Sequence, residues 1–326
     1  MTALFGRKLL FLPGTHLGAV AWQGRHPGRE PDGRLPGRWL AAALRRVRPA
    51  AALALPWHYW WQAHYVDCLV DAGRRELGRG ANPAARFNGP DRPSAGRLAS
   101  RLVTGIRLRN ANTFVNSYYD DMAWLALATL RLDRLAEDTR RSGRRRNNAV
   151  RASLVLQFDA ACTDDLGGGT FWSKKRDFKN TPATAPVALF YARTGQRAKA
   201  QALLDWLDAT LFDPEQGLYL DGARLNPAGG VTVERTVYTY NQGPVLGALL
   251  ELGGQANLER AVVLVAAVQR RLTVPVDSTG FGGTVLRCEG TGDGGLFTGI
   301  LCRYLALAAL DARLPESTRA TAARLL

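Results

Sequence analysis

Residues 116–138 read Asn-Ser-Tyr-Tyr-Asp-Asp-Met-Ala-Trp-Leu-Ala-Leu-Ala-Thr-Leu-Arg-Leu-Asp-Arg-Leu-Ala-Glu-Asp. After Asp121 the run is built from strong helix formers, which predicts a helix over 119–138. Asn116 or Ser117 is a fitting N-cap for it. Two adjacent carboxylates, Asp120 and Asp121, fall in the first turn, where the helix dipole favours negative charge. Two readings of that pair stand side by side. It either finishes a helix terminus or serves chemistry, because paired carboxylates are the minimum equipment for cleaving a glycosidic bond. Neighbours i and i+1 lie about 100° apart on a helix, yet at a first turn both can point off the helix end into a cleft. A second pair, Asp164-Asp165, has no regular helix behind it and serves as an internal control.

Outward from this stretch, helical patterns recur at 37–47, 57–77, 96–109, 147–162, 180–193, 196–211, 240–252, 256–271, 294–311 and 316–325. Breaks such as Arg79-Gly80-Ala81-Asn82-Pro83, Thr194-Gly195-Gln196 and Leu252-Gly253-Gly254 punctuate them. Strand signals are confined to 230–234 and 284–286, each the size of a small hairpin on a loop. Short turns between helices of similar length make helical hairpins. About eleven such helices fit an all-α toroid of hairpins better than an open α/β sheet. The stretches at 119–138, 180–193, 240–252 and 294–311 have the apolar character of inner helices, while 196–211 and 256–271 are amphipathic. Residues 1–36, rich in Gly, Pro and Arg, predict an irregular, loosely attached arm. Residues 37–326 read as a single domain.

The formal charge of +15 invites a nucleic-acid partner. Only five of the 43 basic residues are lysine, however, and arginines such as Arg313, Arg319 and Arg324 lie among Ala and Leu on helices. That pattern is compositional bias over solvated faces, not a phosphate-binding stripe. The run Arg140–Arg146 reads as a solvated turn between helices. Cys68, Cys162 and Cys302 sit among apolar residues, as buried thiols do, and no Cys-x-x-Cys spacing points to metal. The four histidines form no zinc motif, so no metal or cofactor is expected. The apolar segment after Arg7-Lys8 is too short for a signal peptide, and the run around 50–56 is too short for a membrane span. The chain therefore reads as cytoplasmic, or as secreted if a leader has been removed, and as a monomer with neither membrane nor nucleic-acid partner.

Four further segments combine Gly, aromatic and amide residues at helix entrances. Trp57-His58-Tyr59-Trp60-Trp61-Gln62-Ala63-His64 is either a sugar platform or a crowded core. Gly167-Gly168-Gly169-Thr170-Phe171-Trp172, with Lys179-Asn180, lets a loop approach a ligand and presents a stacking face. Tyr238-Thr239-Tyr240-Asn241-Gln242-Gly243 places two amides, each both donor and acceptor, where a helix begins. Glu289-Gly290-Thr291-Gly292-Asp293-Gly294-Gly295-Leu296-Phe297 enters the last long helix. Each alone is a turn or cap more often than a binding element. Their recurrence at helix starts is what points to one rim.

With Asn116–Trp124, Gly167–Trp172, Lys179-Asn180, Thr239–Gly243 and Asp293–Leu305 in this order, the chain resembles glycoside hydrolase family 76, the endo-α-1,6-mannanases. That resemblance implies an (α/α)6 barrel acting on α-mannan or mannooligosaccharides by a retaining mechanism. It makes Asp120 the nucleophile and Asp121 the general acid/base. Trp124, Trp172 and Tyr240 become candidate walls, and Asn180, Asn241 and Gln242 candidate partners for sugar hydroxyls. Asn116, Tyr118, Asp293 and Phe297 complete the substrate-binding set. The physics is compatible: two carboxylates about 5 Å apart at an effective dielectric near 20 repel by roughly 3 kcal/mol, about two pKa units. One then stays protonated while the other ionises. The same residues would serve transglycosylation, and a barrel that only binds glycan is a further alternative. Two departures stand out. Many relatives are exported, and the segment Thr181-Pro182-Ala183-Thr184-Ala185-Pro186 stands where the family more often carries another amide and a regular helix.

Overall fold

The computed structural model describes residues 6–9, 12–18, 57–140, 144–226, 230–276 and 283–326. Ten α-helices lie among them. They are α1 (Tyr59–Gly78), α2 (Ala95–Arg109), α3 (Tyr119–Asp138), α4 (Arg144–Ala161) and α5 (Thr181–Arg193), followed by α6 (Arg197–Leu211), α7 (Thr239–Leu252), α8 (Gln255–Arg271), α9 (Gly294–Leu310) and α10 (Glu316–Arg324). Each corresponds to a helix expected from sequence. The helix expected at 37–47, the apolar run at 50–56 and the centre of the Arg140–Arg146 turn lie outside the described residues. The chain forms two compact units, Met1–Val115 with Ala128–Arg151, and Asn116–Leu127 with Ala152–Leu326.

In the first unit α1 and α2 pack as a hairpin. The buried Glu76 carboxylate accepts from the Phe87 N–H at 3.3 Å and the Ala95 N–H at 3.0 Å, holding the start of α2. Arg131 of α3 pairs with Asp67 at 2.6 Å and also with Asp71, both on α1. The described part of the N-terminal arm is tied down, not loose. Its strands β1 (Gly6–Arg7) and β2 (Leu17–Gly18) pair antiparallel, and Gln62 exchanges two hydrogen bonds with the Gly18 backbone. His16 Nε2 meets the Tyr65 hydroxyl at 2.9 Å. These side-chain ties join residues distant in sequence, which composition does not report.

In the second unit α7 packs between α5 and α9, with α6, α8 and α10 set against them. Burial follows this order. Every residue from Thr181 to Ala192 of α5 is buried, whereas α8 buries one stripe, from Asn257 through Ala261, Leu264 and Val265 to Val268. The close approach of α7 and α9 depends on two glycines one turn apart: a Cβ at Gly243 or Gly247 would lie 2.7 or 2.6 Å from the Tyr304 ring. α9 departs from expectation, since it buries a stripe through Ile300, Leu301, Tyr304, Leu305 and Ala308 but leaves Leu310 exposed. A uniformly apolar helix carries no periodicity to report which face is covered.

Small antiparallel pairs decorate the helix connections. β3 (Lys179–Asn180), β6 (Gly222–Leu225) and β7 (Val231–Glu234) form one three-stranded sheet. β4 (Phe212–Asp213) pairs with β5 (Leu218–Tyr219), and β8 (Thr273–Pro275) with β9 (Thr284–Leu286). The two strand signals in the sequence are thus members of real hairpins. Cys68 is exposed on α1, while Cys162 and Cys302 are half-buried. The expectation of three buried thiols is corrected: an apolar neighbourhood in sequence does not set the arc of a helix on which a residue falls.

Candidate active site

The first turn of α3 carries the carboxylate pair. The helix opens at Tyr119, whose N–H donates to the Trp172 carbonyl at 2.8 Å. Asn116, expected as a cap, instead closes a turn just upstream by accepting the Tyr118 N–H on Oδ1. Its Nδ2 is thereby free to donate to Asp121 Oδ2 at 2.6 Å. Asp121 is buried, at 8% exposure, and Asp120 is half-buried. Trp172 Nε1 donates to Asp120 Oδ2 at 3.1 Å, while Asp120 Oδ1 is buried without a hydrogen-bond partner. Asp164 and Asp165, by contrast, are exposed. The two pairs are alike in sequence and opposite in setting.

Burial governs the charge at this site. It pushes the Asp120 carboxyl well above its ordinary value, with the charge of Asp121 acting in the same direction and the Trp172 indole opposing. Burial likewise pushes Asp121 up to about 7; the Asn116 amide favours its anion, and the charge of Asp293 disfavours it. Two such groups titrate as a unit. Such a pair gives up its first proton more readily than its second, which lets one member act as acid while the other is the anion.

Aromatic surfaces flank the pair. Tyr118 and Trp172 are among the exposed aromatic residues, with ring centroids 5.0 Å apart. Tyr240 and Phe297 stack at 3.9 Å and 20°, and Tyr238 meets Phe297 edge-on at 5.5 Å. Burial raises the Tyr240 phenol, and the charges of Asp221, Asp120 and Asp293 act in the same direction. Its helix is seated by Glu289, which accepts the Thr239 N–H at 3.0 Å and the Thr239 hydroxyl at 2.6 Å.

The remaining sequence candidates divide. Asn241 donates to Asp221 Oδ1 at 3.2 Å and keeps a buried Oδ1 without a partner. Gln242 is spent on structure: its Oε1 accepts the Tyr219 N–H at 2.9 Å, and its Nε2 donates to the Tyr219 and Tyr238 carbonyls. Asn180 caps α5 by accepting the Ala183 N–H at 3.1 Å, Pro182 fits the first turn, and the helix continues through Pro186 to Arg193. Trp124 is buried within α3 and offers no open ring face. Asp293 is exposed at the start of α9. Sequence reading missed Asp221, which burial pushes up to about 6. The only signal for Asp221 was an Asp-Gly pair, which is common to many turns. The Trp57–His64 cluster belongs to the first unit, where Tyr59 is buried and donates to the Phe114 carbonyl at 2.8 Å. A cavity of about 470 Å³ in that unit, lined by residues including Glu76, Arg86, Arg97 and Leu132, holds none of the candidates.

Two adjacent carboxyls held above their ordinary range and flanked by aromatic faces are equipment that cleavage of a glycosidic bond calls for. The sequence profile of Glycosyl hydrolase family 76 matches residues 47–326, and the chain belongs to that family. It is a glycoside hydrolase whose all-α fold class is the (α/α)6 barrel. No curated protein matches the chain. Among solved structures, an α-1,6-mannanase of Salegentibacter sp. is 31% identical, with a TM-score of 0.66 over 82% of this chain and 75% of that one. An inactive variant of the same enzyme, with two consecutive aspartates replaced by asparagine, was solved in complex with α-1,6-mannotriose; it is 30% identical with a TM-score of 0.67 over the same shares. A Listeria innocua protein is 27% identical, with a TM-score of 0.64 over 82% of this chain and 72% of that one.

Proposed function

We propose that the protein hydrolyses α-1,6-mannosidic bonds with retention of configuration. The observation that carries this reading is the pair itself, two adjacent carboxyls at the start of α3 that burial holds above the ordinary carboxylate range. Similarity to the Salegentibacter sp. enzyme supports the choice of substrate. In the first step the Asp121 carboxylic acid protonates the glycosidic oxygen. Asp120 attacks the anomeric carbon, the C–O bond to the leaving sugar breaks, and a mannosyl ester forms. In the second step ionised Asp121 takes a proton from water, whose oxygen attacks the same carbon and releases Asp120. Asp120 Oδ1 suits the nucleophilic role because no hydrogen bond occupies its lone pairs. Positive charge developing on the sugar ring favours the Asp120 anion that burial alone disfavours. Tyr118, Trp172, Tyr240 and Phe297 supply faces for pyranose rings.

The test is incubation with a linear α-1,6-mannooligosaccharide series, with proton NMR following the anomeric configuration of the first product. The expected outcome is shorter sugars born in the α configuration. Asp120→Ala and Asp121→Ala are each expected to lose turnover, and azide added to them assigns the roles: a β-mannosyl azide from the nucleophile variant, an α-mannosyl azide from the acid/base variant. Products born in the β configuration, or turnover surviving in both variants, would overturn the reading. Longer products would instead mark transfer to sugar.

A further inference from the structure

We propose that Lys179 is a positioning residue: its buried ammonium knots the loop 163–172 and thereby sets the indole of Trp172 against Asp120. The ammonium donates to the carbonyls of Thr163 at 2.6 Å, Asp165 at 2.7 Å and Gly168 at 2.7 Å. Those three bonds use all three of its N–H groups. The Lys179 side chain is fully buried, and its Nζ lies 4.7 Å from the Phe171 ring centroid. It forms no ion pair among the described residues. A lysine kept out of water without a carboxylate partner is a costly choice if packing alone is needed, since a methionine of similar length would fill the space without a charge. What the charge supplies is a focus on which three carbonyls converge.

The loop bends to present them. Leu166, Gly167, Gly168 and Gly169 all lie at positive φ, which turns successive carbonyls away from an extended path. The same loop backs onto Trp206: a Cβ at Gly169 would lie 2.5 Å from its ring. From the knot the register passes directly to Trp172. Its N–H donates to the carbonyl of Phe178, the neighbour of Lys179, at 2.8 Å, and its own carbonyl receives the Tyr119 N–H at 2.8 Å. Trp172 therefore sits with its backbone clasped between β3 and the first residue of α3. From that seat its Nε1 reaches Asp120 Oδ2 at 3.1 Å.

The inference rests on the reading of Asp120 as a catalytic carboxylate, and the test separates the two. Lys179→Met, Lys179→Arg, Trp172→Phe and the doubles with Trp172→Phe are compared on α-1,6-mannotetraose. Losing a hydrogen bond to a charged group corresponds to about a ten- to hundredfold fall in kcat. That fall is expected for Trp172→Phe and Lys179→Met alike, with KM within about twofold. The double variant is expected to be no slower than either single, because both remove one contact. Lys179→Arg keeps the charge but not the three-way geometry and is expected to fall between. Losses that multiply, or a folded Lys179→Met with parental kcat, would overturn the inference.

A second readout is independent of turnover. The contribution of Trp172 to fluorescence and to acrylamide quenching is taken as the difference between each protein and its Trp172→Phe counterpart. Stronger quenching of that contribution in Lys179→Met supports the inference, and unchanged quenching overturns it. Should Lys179→Met fail to fold, Lys179→Arg supplies the same comparison. An inactive parent with this fluorescence result intact would overturn the mannanase reading and leave Lys179 in its role.

Discussion

Replacing Asp121 by asparagine tests the burial of charge at this site without any substrate. The Asp121 carboxyl titrates at about 7 against an ordinary 3.8. Between those values the folded protein holds a proton that the unfolded chain has already lost. Stability therefore falls as pH rises from about 4 to about 7 and stays lowered above; below about 4 both states are protonated and the effect is absent. Three pH units at about 1.4 kcal/mol each give a cost of up to about 4 kcal/mol at pH 8. The amide is nearly the same shape, can still accept from Asn116, and stays neutral. Asp121→Asn is therefore expected to be more stable than the parent at pH 8 by up to about 4 kcal/mol, and equal to it at pH 4. Asp120, relieved of its neighbour's charge, titrates lower in the variant and adds to the gain. Denaturant unfolding at a series of pH values measures the difference directly. In thermal unfolding it corresponds to roughly 2–4 °C per kcal/mol. A difference that is flat with pH, or a parent more stable at pH 8, refutes the account of the pair as a buried, destabilising charge.

Other perturbations separate function from framework. Tyr118→Ala removes an exposed ring and is expected to raise KM by roughly fivefold, about 1 kcal/mol of stacking, with unchanged Tm. Gln242→Ala strands the Tyr219 backbone groups in a buried site and is expected to destabilise the fold by about 2–4 kcal/mol, read as a lower denaturation midpoint. Gly247→Val forces a side chain into the Tyr304 ring and is expected to cost about 1–3 kcal/mol, while Gly299→Ala, within α9 and with nothing within 4 Å of the added Cβ, is the milder control. Asn116→Ala removes the bond that favours the Asp121 anion, so the basic limb of kcat/KM is expected to move upward by about one pH unit or more; a downward shift sinks that assignment.

Much of the helical framework was legible because it is local. Period, punctuation and capping place α3, α5, α7 and α8 within a residue or so of their observed bounds, and Asp120-Asp121 stood out because a regular helix follows them. The limits are equally physical. Asn116 and Asn180 were read by residue type as cap and substrate ligand; the structure gives Asn116 to Asp121 and makes Asn180 the cap. An amide at a helix entrance satisfies either role, and only the third dimension decides which groups it meets. Gln242 shows the same ambiguity resolved toward structure, its partners lying 23 residues away at Tyr219. Asp221 escaped notice because its importance arises from its neighbours Asn241 and Tyr240, both distant in sequence.

The clamp of Glu289 on Thr239 spans 50 residues of chain. Helix α7 has the propensity to form early and locally, but the orientation of its first turn waits for a contact of high sequence separation, whose closure carries an entropic penalty. The seat of the Tyr240 and Phe297 shelf thus depends on a contact made across 50 residues of chain. A chain interrupted before Glu289 would already contain Asp120 and Asp121, yet lack the partner that anchors the shelf beside them. The carboxyls and the surface beside them are thus supplied by separate stretches of sequence, and a truncation before Glu289 is expected to part the two.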